Sequence, residues 1–485
     1  MIVATFGLAA LVHAAPSHPT HPSHPNVIII LADDLGYADV GAYGGKDVPT
    51  PNIDSIGANG IRFTNGYVCS PLCSPSRAAL LTGRCAPRDG YDGNPPADAK
   101  NGGGLDLKEV TLADRLKAAG YYTGIVGKWH LGQLKDHQPL SRGFDSFYGL
   151  LTHGIGDDYP KHCVPIYRNW DIVPPPADFT TALGQEGADF IKNHQRQPFF
   201  LYLAFTAVHN PFVAPQSYID KFAHVSKNKL RQRYCAMLSV MDDMIGRVFD
   251  QLRASHLENN TLVFFLSDNG APDGEDIWHN GPLRGGKYSL WEGGIHVPFL
   301  VRWPGHIPAG KVSDTRVSEV DILPSVLAAA GVTAPSKLPL DGENILPLLE
   351  GAVSTLPDRA LYWRYGPQFA INHDGWKTVK PSLDSPPLLF NISSDIGENR
   401  ELSGQNPQRL KQMIDDWQNW NVQNRPEVNY DPAQNNTFNA QHPHRGDPKG
   451  IDASGNPTMI IWGRWRSPAS SPSPSPIGHR SAPPD

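Results

Sequence analysis

A chain of 485 residues exceeds one ordinary domain and leaves room for a large core with a smaller appendage. Hydrophobic residues at 40% and charged residues at 19%, with 46 Gly and 46 Pro, describe a loop-rich globular chain and exclude a wholly disordered one. A formal charge of −6 excludes the basic field that nucleic-acid binding needs, so an anionic substrate requires positive charge concentrated locally.

The N-terminus reads MIVATFGLAALVHAAPSHP. Its short apolar run, Ile2 to Val12, is followed by small residues near Ala14. This predicts a signal peptide over residues 1–14, although no Lys or Arg precedes the run. The run falls short of the roughly 20 apolar residues of a membrane helix, and no later stretch qualifies. A secreted or periplasmic protein without a membrane span is expected. Residues 15–25, with PSHPTHPSHP, read as a Pro/His-rich linker, and residues 467–485 as a disordered Ser/Pro-rich tail.

Between these ends strands alternate with helices. Val27–Leu31, Tyr122–Val126, Phe199–Phe205 and Leu262–Leu266 are apolar runs suited to strands buried on both faces, hence a mostly parallel sheet covered by helices. Thr111 to Ala119 opens on a Thr111/Asp114 capping box and ends at Gly120. Leu230 to Leu252 carries a helical apolar stripe. The class is α/β, with a large domain over residues 26–355. Shorter segments after Leu356, such as Ala360–Trp363 and Trp376–Val379, predict a smaller α+β domain over residues 356–466.

In open α/β sheets ligands bind beyond the carboxyl ends of the strands. Three strand ends here lead into Asp33-Asp34, Gly127-Lys128-Trp129-His130 and Ser267-Asp268-Asn269-Gly270, and the Phe199 strand is followed by His209-Asn210-Pro211. In a parallel sheet these groups gather on one edge. Asp33, Asp34 and Asp268 together would repel one another unless a cation joined them, and an all-oxygen set favours a hard divalent ion. Taken singly, each pair reads better as a turn or cap; their shared position at strand ends reverses that.

Cys73 lies in Cys-Ser-Pro-Leu-Cys-Ser-Pro-Ser-Arg-Ala-Ala-Leu-Leu-Thr-Gly-Arg, residues 69–84. Ser74 as N-cap, Pro75 at the first helical position and Gly83 as C-cap predict a helix that begins just after Cys73. Its dipole favours an anion there, and Arg77 lies one turn in. The five cysteines, Cys69, Cys73, Cys85, Cys163 and Cys235, leave at least one unpaired in a monomer. Their spacing fixes no connectivity and resembles no zinc cluster.

Cys73-x-Pro-Ser-Arg77 followed by Ala-Ala-Leu-Leu-Thr-Gly-Arg resembles the signature of the type I, formylglycine-dependent sulfatases. Gly127-Lys-Trp-His-Leu-Gly132 resembles their second signature. Asp33-Asp34 stands before both, and Ser-Asp-Asn-Gly, Gly285-Gly286-Lys287 and Glu292-Gly-Gly follow them in family order. The likeness runs from about Asn26 to about Leu402, and is strongest to the branch of arylsulfatase A and N-acetylgalactosamine-6-sulfatase, which Val164-Pro-Ile-Tyr-Arg-Asn-Trp170 shares.

The resemblance implies an alkaline phosphatase-like fold and a sulfuric ester hydrolase acting on a sulfated carbohydrate or aryl sulfate. It implies conversion of Cys73 to Cα-formylglycine by a formylglycine-generating enzyme. It implies one calcium ion held by Asp33, Asp34, Asp268 and Asn269 with residue 73. Arg77 and Lys128 would steady the formylglycine hydrate, His130 would act as base in the second step, and His209 and Lys287 would bind sulfate oxygens and assist the leaving oxygen. His153, Asp157, Tyr159, His162 and Trp170 lie in a long loop after the second signature, where they could contact a sugar but read at least as well as ordinary loop packing; Arg364 and Trp376 could line the mouth, the lesser of their readings. Two rivals stand against this reading. One is a phosphate or phosphonate hydrolase of the same superfamily, whose two-zinc members need His-rich ligands. The other is a sulfated-glycan binder whose cysteine stays unconverted.

Overall fold

The computed structural model describes residues 24–95, 103–156, 158–274, 276–333, 338–427, 448–451 and 457–459. The expected signal peptide, the Ser/Pro tail, Asp157 and most of the linker lie outside the described residues. The described residues up to 427 belong to one compact unit; Pro448–Ile451 and Pro457–Met459 belong to a second and pair antiparallel.

The first unit is built on a ten-stranded mixed sheet. Its centre holds the four strands anticipated from apolar runs: Asn26–Ala32, Tyr122–Lys128, Phe199–Ala204 and Thr261–Ser267. Asn26–Ala32 lies parallel between Phe199–Ala204 and Thr261–Ser267. Tyr122–Lys128 adds parallel to Phe199–Ala204, and Ser146–Leu150 follows it, also parallel. Phe299–Arg302 is antiparallel to Thr261–Ser267, which makes the sheet mixed.

Alternation along one central strand sorts its side chains into two layers. Val27, Ile29 and Leu31 enter one apolar core, while Ile28, Ile30 and Ala32 enter the other. Helix α1 (Cys73–Thr82) and α2 (Leu112–Ala118) cover the first face. Helix α3 (Phe179–His194) and α4 (Lys229–Ala254) cover the second. The Thr111 cap of α2 forms the anticipated box with Asp114. The α4 stripe buries Leu238, Met241, Ile245, Val248 and Leu252, each worth about 1.5–3 kcal/mol of apolar transfer. Leu230, at the start of that stripe, is exposed.

Leu361–Tyr365, Gln368–His373, Trp376–Lys380 and Leu388–Asn391 form a four-stranded antiparallel sheet. Trp363, Tyr365, Ala370, Val379 and Phe390 from this sheet join the core on the α1 side, so it is welded to the large sheet. Its other face carries helix α5 (Pro407–Asn421), where Trp417 stacks on Phe369 and Trp420 on Tyr362. Among the described residues no helix is long and apolar enough to cross a membrane.

Candidate functional site

The parallel register brings the carboxyl ends of the central strands to one edge, and the chain there turns sharply. Gly127 has φ +120°, and a Cβ on it would lie 1.8 Å from the Ala204 carbonyl oxygen. Only glycine lets the strand pass so close before Lys128. Asp34 and His130 both take a left-handed backbone with φ 59°, as does Tyr288 with φ 69°. Such residues cost about 1–3 kcal/mol each and persist where the surroundings dictate them.

Helix α1 begins earlier than the capping argument placed it. Cys73 is already its first residue and Leu72 its N-cap, without a side-chain hydrogen bond. The Ser74 hydroxyl donates instead to the His130 carbonyl oxygen and meets the Tyr91 hydroxyl at 2.8 Å, so tertiary partners displaced the local cap. Gly83 does end the helix, with φ 68°.

Asp33, Asp34, Cys73 and Asp268 present ligand atoms that all lie within 4.8 Å of one another, and all four are buried. Cys73 Sγ is 3.6 Å from Asp33 Oδ1 and 4.0 Å from Asp34 Oδ1. Lys128 Nζ contacts both Asp33 oxygens, at 2.9 and 2.7 Å. Arg77 donates to Asp268 Oδ2 from Nε at 3.0 Å and from Nη2 at 2.7 Å, and from Nη1 to the Lys128 carbonyl oxygen. Lys287 Nζ lies 2.8 Å from Asp34 Oδ2, and His209 Nε2 lies 3.6 Å from the same oxygen. Asn269 Nδ2 donates to Asp34 Oδ1 at 2.7 Å, while its Oδ1 is buried without a hydrogen-bond partner among the described residues. Three buried cations thus face three buried carboxylates, which supplies the local positive charge that a net −6 lacks.

The electrostatics follow from burial and this crowding. Burial raises the Asp34 carboxyl, but Lys287, His209 and Lys128 outweigh it and hold the group down at about 2. Burial and the neighbouring Asp33 push Asp268 up to about 6 against the pull of Arg77. Burial pushes the Cys73 thiol up to about 12, so as an unmodified cysteine it is protonated and weakly nucleophilic. Burial, then Lys128 and Arg77, drive His130 far below the usual histidine range, and its Nδ1 has no hydrogen-bond partner among the described residues. Burial lowers His209 to about 3. Its Nδ1 sits 2.6 Å from the Asn210 carbonyl oxygen, which places the proton of the neutral ring there.

All the residues singled out in the sequence for catalysis or metal binding therefore meet at one edge. The outer candidates divide. His153 reaches the site, its ring 6.3 Å from that of His130. Trp170 does not: it lies in the turn between Ile166–Arg168 and Asp171–Val173, beside Lys135. Arg168 pairs in register with Tyr148, so the strand leads Trp170 away from the site edge. His162 pairs with Asp158, and the Tyr159 hydroxyl donates to the Pro176 carbonyl oxygen. Arg364 is spent on Asp92, at 3.0 and 2.7 Å, and Trp376 lies under Arg409.

Two supporting groups have no signature in the sequence. Asn280 exchanges hydrogen bonds with Ala271 and donates to the Gly285 carbonyl oxygen, while the Lys287 N–H donates to the Ala271 carbonyl oxygen. The amide thereby fixes the loop that carries Lys287. Behind it, Lys377 lies buried between Glu292 at 2.8 Å and Glu398 at 2.9 Å. Only the folded chain brings these distant positions together.

Buried cations gathered with Cys73 and three acids at the strand ends of an α/β fold define a site suited to an anionic ligand. A family model described as Sulfatase matches residues 25–332, and one described as N-sulphoglucosamine sulphohydrolase, C-terminal, matches residues 286–425. Human N-acetylgalactosamine-6-sulfatase is 36% identical over 436 residues, covering 78% of this chain and 81% of that protein. Bovine arylsulfatase A is 35% identical over 433 residues, covering 78% and 83%. The crystal structure of Ps i-CgsB in complex with k-i-k-neocarrahexaose superposes with a TM-score of 0.80 at 34% identity, covering 86% of this chain and 97% of that one. The chain belongs to the sulfatase family, with its alkaline phosphatase-like fold, and is a sulfuric ester hydrolase.

Proposed function

We propose that this enzyme is an exported, secreted or periplasmic sulfatase that removes sulfate from a sulfated carbohydrate, using residue 73 as formylglycine and one calcium ion. The observation that carries the reading is the position of Cys73. It opens a helix with its side chain against Asp33 and Asp34, and with Arg77, Lys128 and Lys287 gathered around the same acids. The relatives named above support a carbohydrate substrate, since one bears a sugar sulfate in its name and another was solved with an oligosaccharide.

The donor set fits the ion. Three carboxylates and an amide oxygen without a partner are hard oxygen ligands, with no histidine among them. Asp33, Asp34, Asp268 and Asn269, with residue 73, would hold calcium, which would acidify the attacking hydroxyl and polarise a sulfate oxygen. Formylglycine, made from Cys73 by a formylglycine-generating enzyme, would supply a hydrated aldehyde with one hydroxyl for attack and a second for releasing sulfate. Arg77 and Lys128, anchored on Asp268 and Asp33, keep cationic charge beside residue 73 throughout. His130 is neutral and takes a proton at its unpartnered Nδ1 in the second step. Lys287 binds sulfate oxygens through its ammonium. His209 becomes a donor at Nε2 when sulfate anions draw a second proton onto the ring.

The test compares a sulfate and a phosphate ester of one alcohol, then a panel of defined sulfated mono- and disaccharides. Sulfate ester turnover should dominate, and Cys73→Ala should abolish it while thermal unfolding stays close to that of the parent. Preference for the phosphate ester, or a Cys73→Ala variant with near-parental rate, overturns the reading. Mass spectrometry of the peptide containing residue 73 should show the loss expected for thiol-to-aldehyde conversion; an intact thiol in the native host favours the glycan binder.

A further inference from the structure

Two cysteines flank α1 and take no part in the chemistry above. Cys69 lies four residues before Cys73, and Cys85 lies just beyond the helix C-cap. Their sulfurs are 3.3 Å apart across 16 positions of sequence. We propose that Cys69 and Cys85 form a disulfide that clamps the two ends of the helix carrying residue 73.

Both backbones are already pinned in the facing arrangement. The Cys69 N–H donates to Glu319 Oε1 at 2.8 Å, and the Ser70 carbonyl oxygen accepts from the Ser76 hydroxyl inside α1. The Cys85 N–H donates to Asp341 Oδ2 at 2.9 Å, and Arg88 grips the same carboxylate. Ala79, from the middle of α1, and Val320 complete the small apolar cluster around the two cysteines. Bond formation shortens the sulfur separation by about 1.3 Å, within reach of side-chain rotation. Cys73 is excluded from this pairing by direction, because its sulfur faces Asp33 and Asp34. The correct pair is therefore selected by the fold, and position 73 stays available for its own modification.

The oxidant is a disulfide-bearing thiol oxidoreductase of an oxidising compartment. Cys85 is the more exposed of the two and attacks first as a thiolate, expelling one oxidant sulfur and forming a mixed disulfide. Cys69 then attacks the Cys85 sulfur and expels the second. One sulfur–sulfur bond forms in the chain and one breaks in the oxidant, which carries off two electrons and both thiol protons. The closed loop restrains the unfolded chain and holds both ends of α1 against the sheet.

The test uses the full chain exported to an oxidising compartment, with free thiols alkylated under denaturing conditions before digestion. Trypsin cuts after Arg62, Arg77, Arg84 and Arg88, so the expected product is Phe63–Arg77 joined to Cys85–Arg88. The joined peptide should vanish on reduction, and fragmentation should place the link on Cys69. Complete alkylation of both residues, or a link on Cys73, overturns the proposal. As a second arm, a thiol reductant should lower the Tm of the parent by a few degrees and leave Cys69→Ala and Cys85→Ala unshifted. The double variant should be no less stable than either single one. A parent Tm indifferent to the reductant also overturns it. Turnover well below the Tm should match the parent in all variants, whichever sulfate ester is used.

Discussion

Two buried charge clusters sit close together in this molecule and are built differently. At the sheet edge, Asp33, Asp34 and Asp268 face Lys128, Lys287 and Arg77, yet Asn269 Oδ1 and His130 Nδ1 stay without hydrogen-bond partners among the described residues. Behind it, Glu292 is saturated: it binds Lys377, His296 and the Tyr67 hydroxyl, while Glu398 accepts from the Glu292 N–H and pairs with Lys377. The saturated cluster joins the small sheet to the large one, since Lys377 comes from Trp376–Lys380 and Glu292 from the segment after Lys287. In the first cluster two buried polar atoms are bare beside clustered acids, which suits it to receive something; in the second, Glu292 and Glu398 share one lysine, which suits it to hold the fold.

The largest expected effect breaks the saturated cluster. Lys377→Met leaves two carboxylates buried face to face and should cost about 3–5 kcal/mol of unfolding free energy, read from the denaturant midpoint. Turnover per folded molecule should survive. A loss of activity without a loss of stability would erase the distinction between the clusters.

The next effect sharpens the unsaturated one. Calcium added to chelator-treated protein should raise stability by about 2.7 kcal/mol at a hundredfold excess over Kd, read as a rise in Tm. Asp268→Asn should show little or none of that gain. An equal rise in the variant would place the ion elsewhere.

A third effect is a pH slope. Burial raises Glu398 from the usual 4.5 to about 7, with Glu292 adding to the rise and Lys377 opposing it. The folded state therefore holds this proton more tightly than the unfolded chain. Its contribution is complete below about 4.5 and is lost as pH rises toward 7. Glu398→Gln should flatten the decline of Tm across that window. Parallel Tm–pH curves for parent and variant would remove Glu398 from the account.

Much of the site was legible because its residues follow apolar runs at strand ends, where local pattern and chemistry coincide. Asp33, Lys128 and Asp268 are each read from a strand and the polar group that ends it. The start of α1 was misplaced because the Ser74 hydroxyl had a better partner in the His130 carbonyl oxygen than in its own helix. Trp170, a candidate sugar contact in the loop after the second signature, turned outward with the hairpin that carries it. Asn280, Lys377 and Glu398 were not legible, since a lone amide, lysine or glutamate carries no periodicity.

The sequence by itself determined which strands are buried on both faces, which helix presents position 73, and which acids and cations meet at one sheet edge. These depend on alternation, apolar runs and short motifs, which act over a few residues. Tertiary structure alone decided which sulfur faces which, where Glu292 and Glu398 share a lysine, and which loop residues reach the mouth. Those outcomes depend on contacts between positions far apart in the chain, and no local pattern encodes a distance.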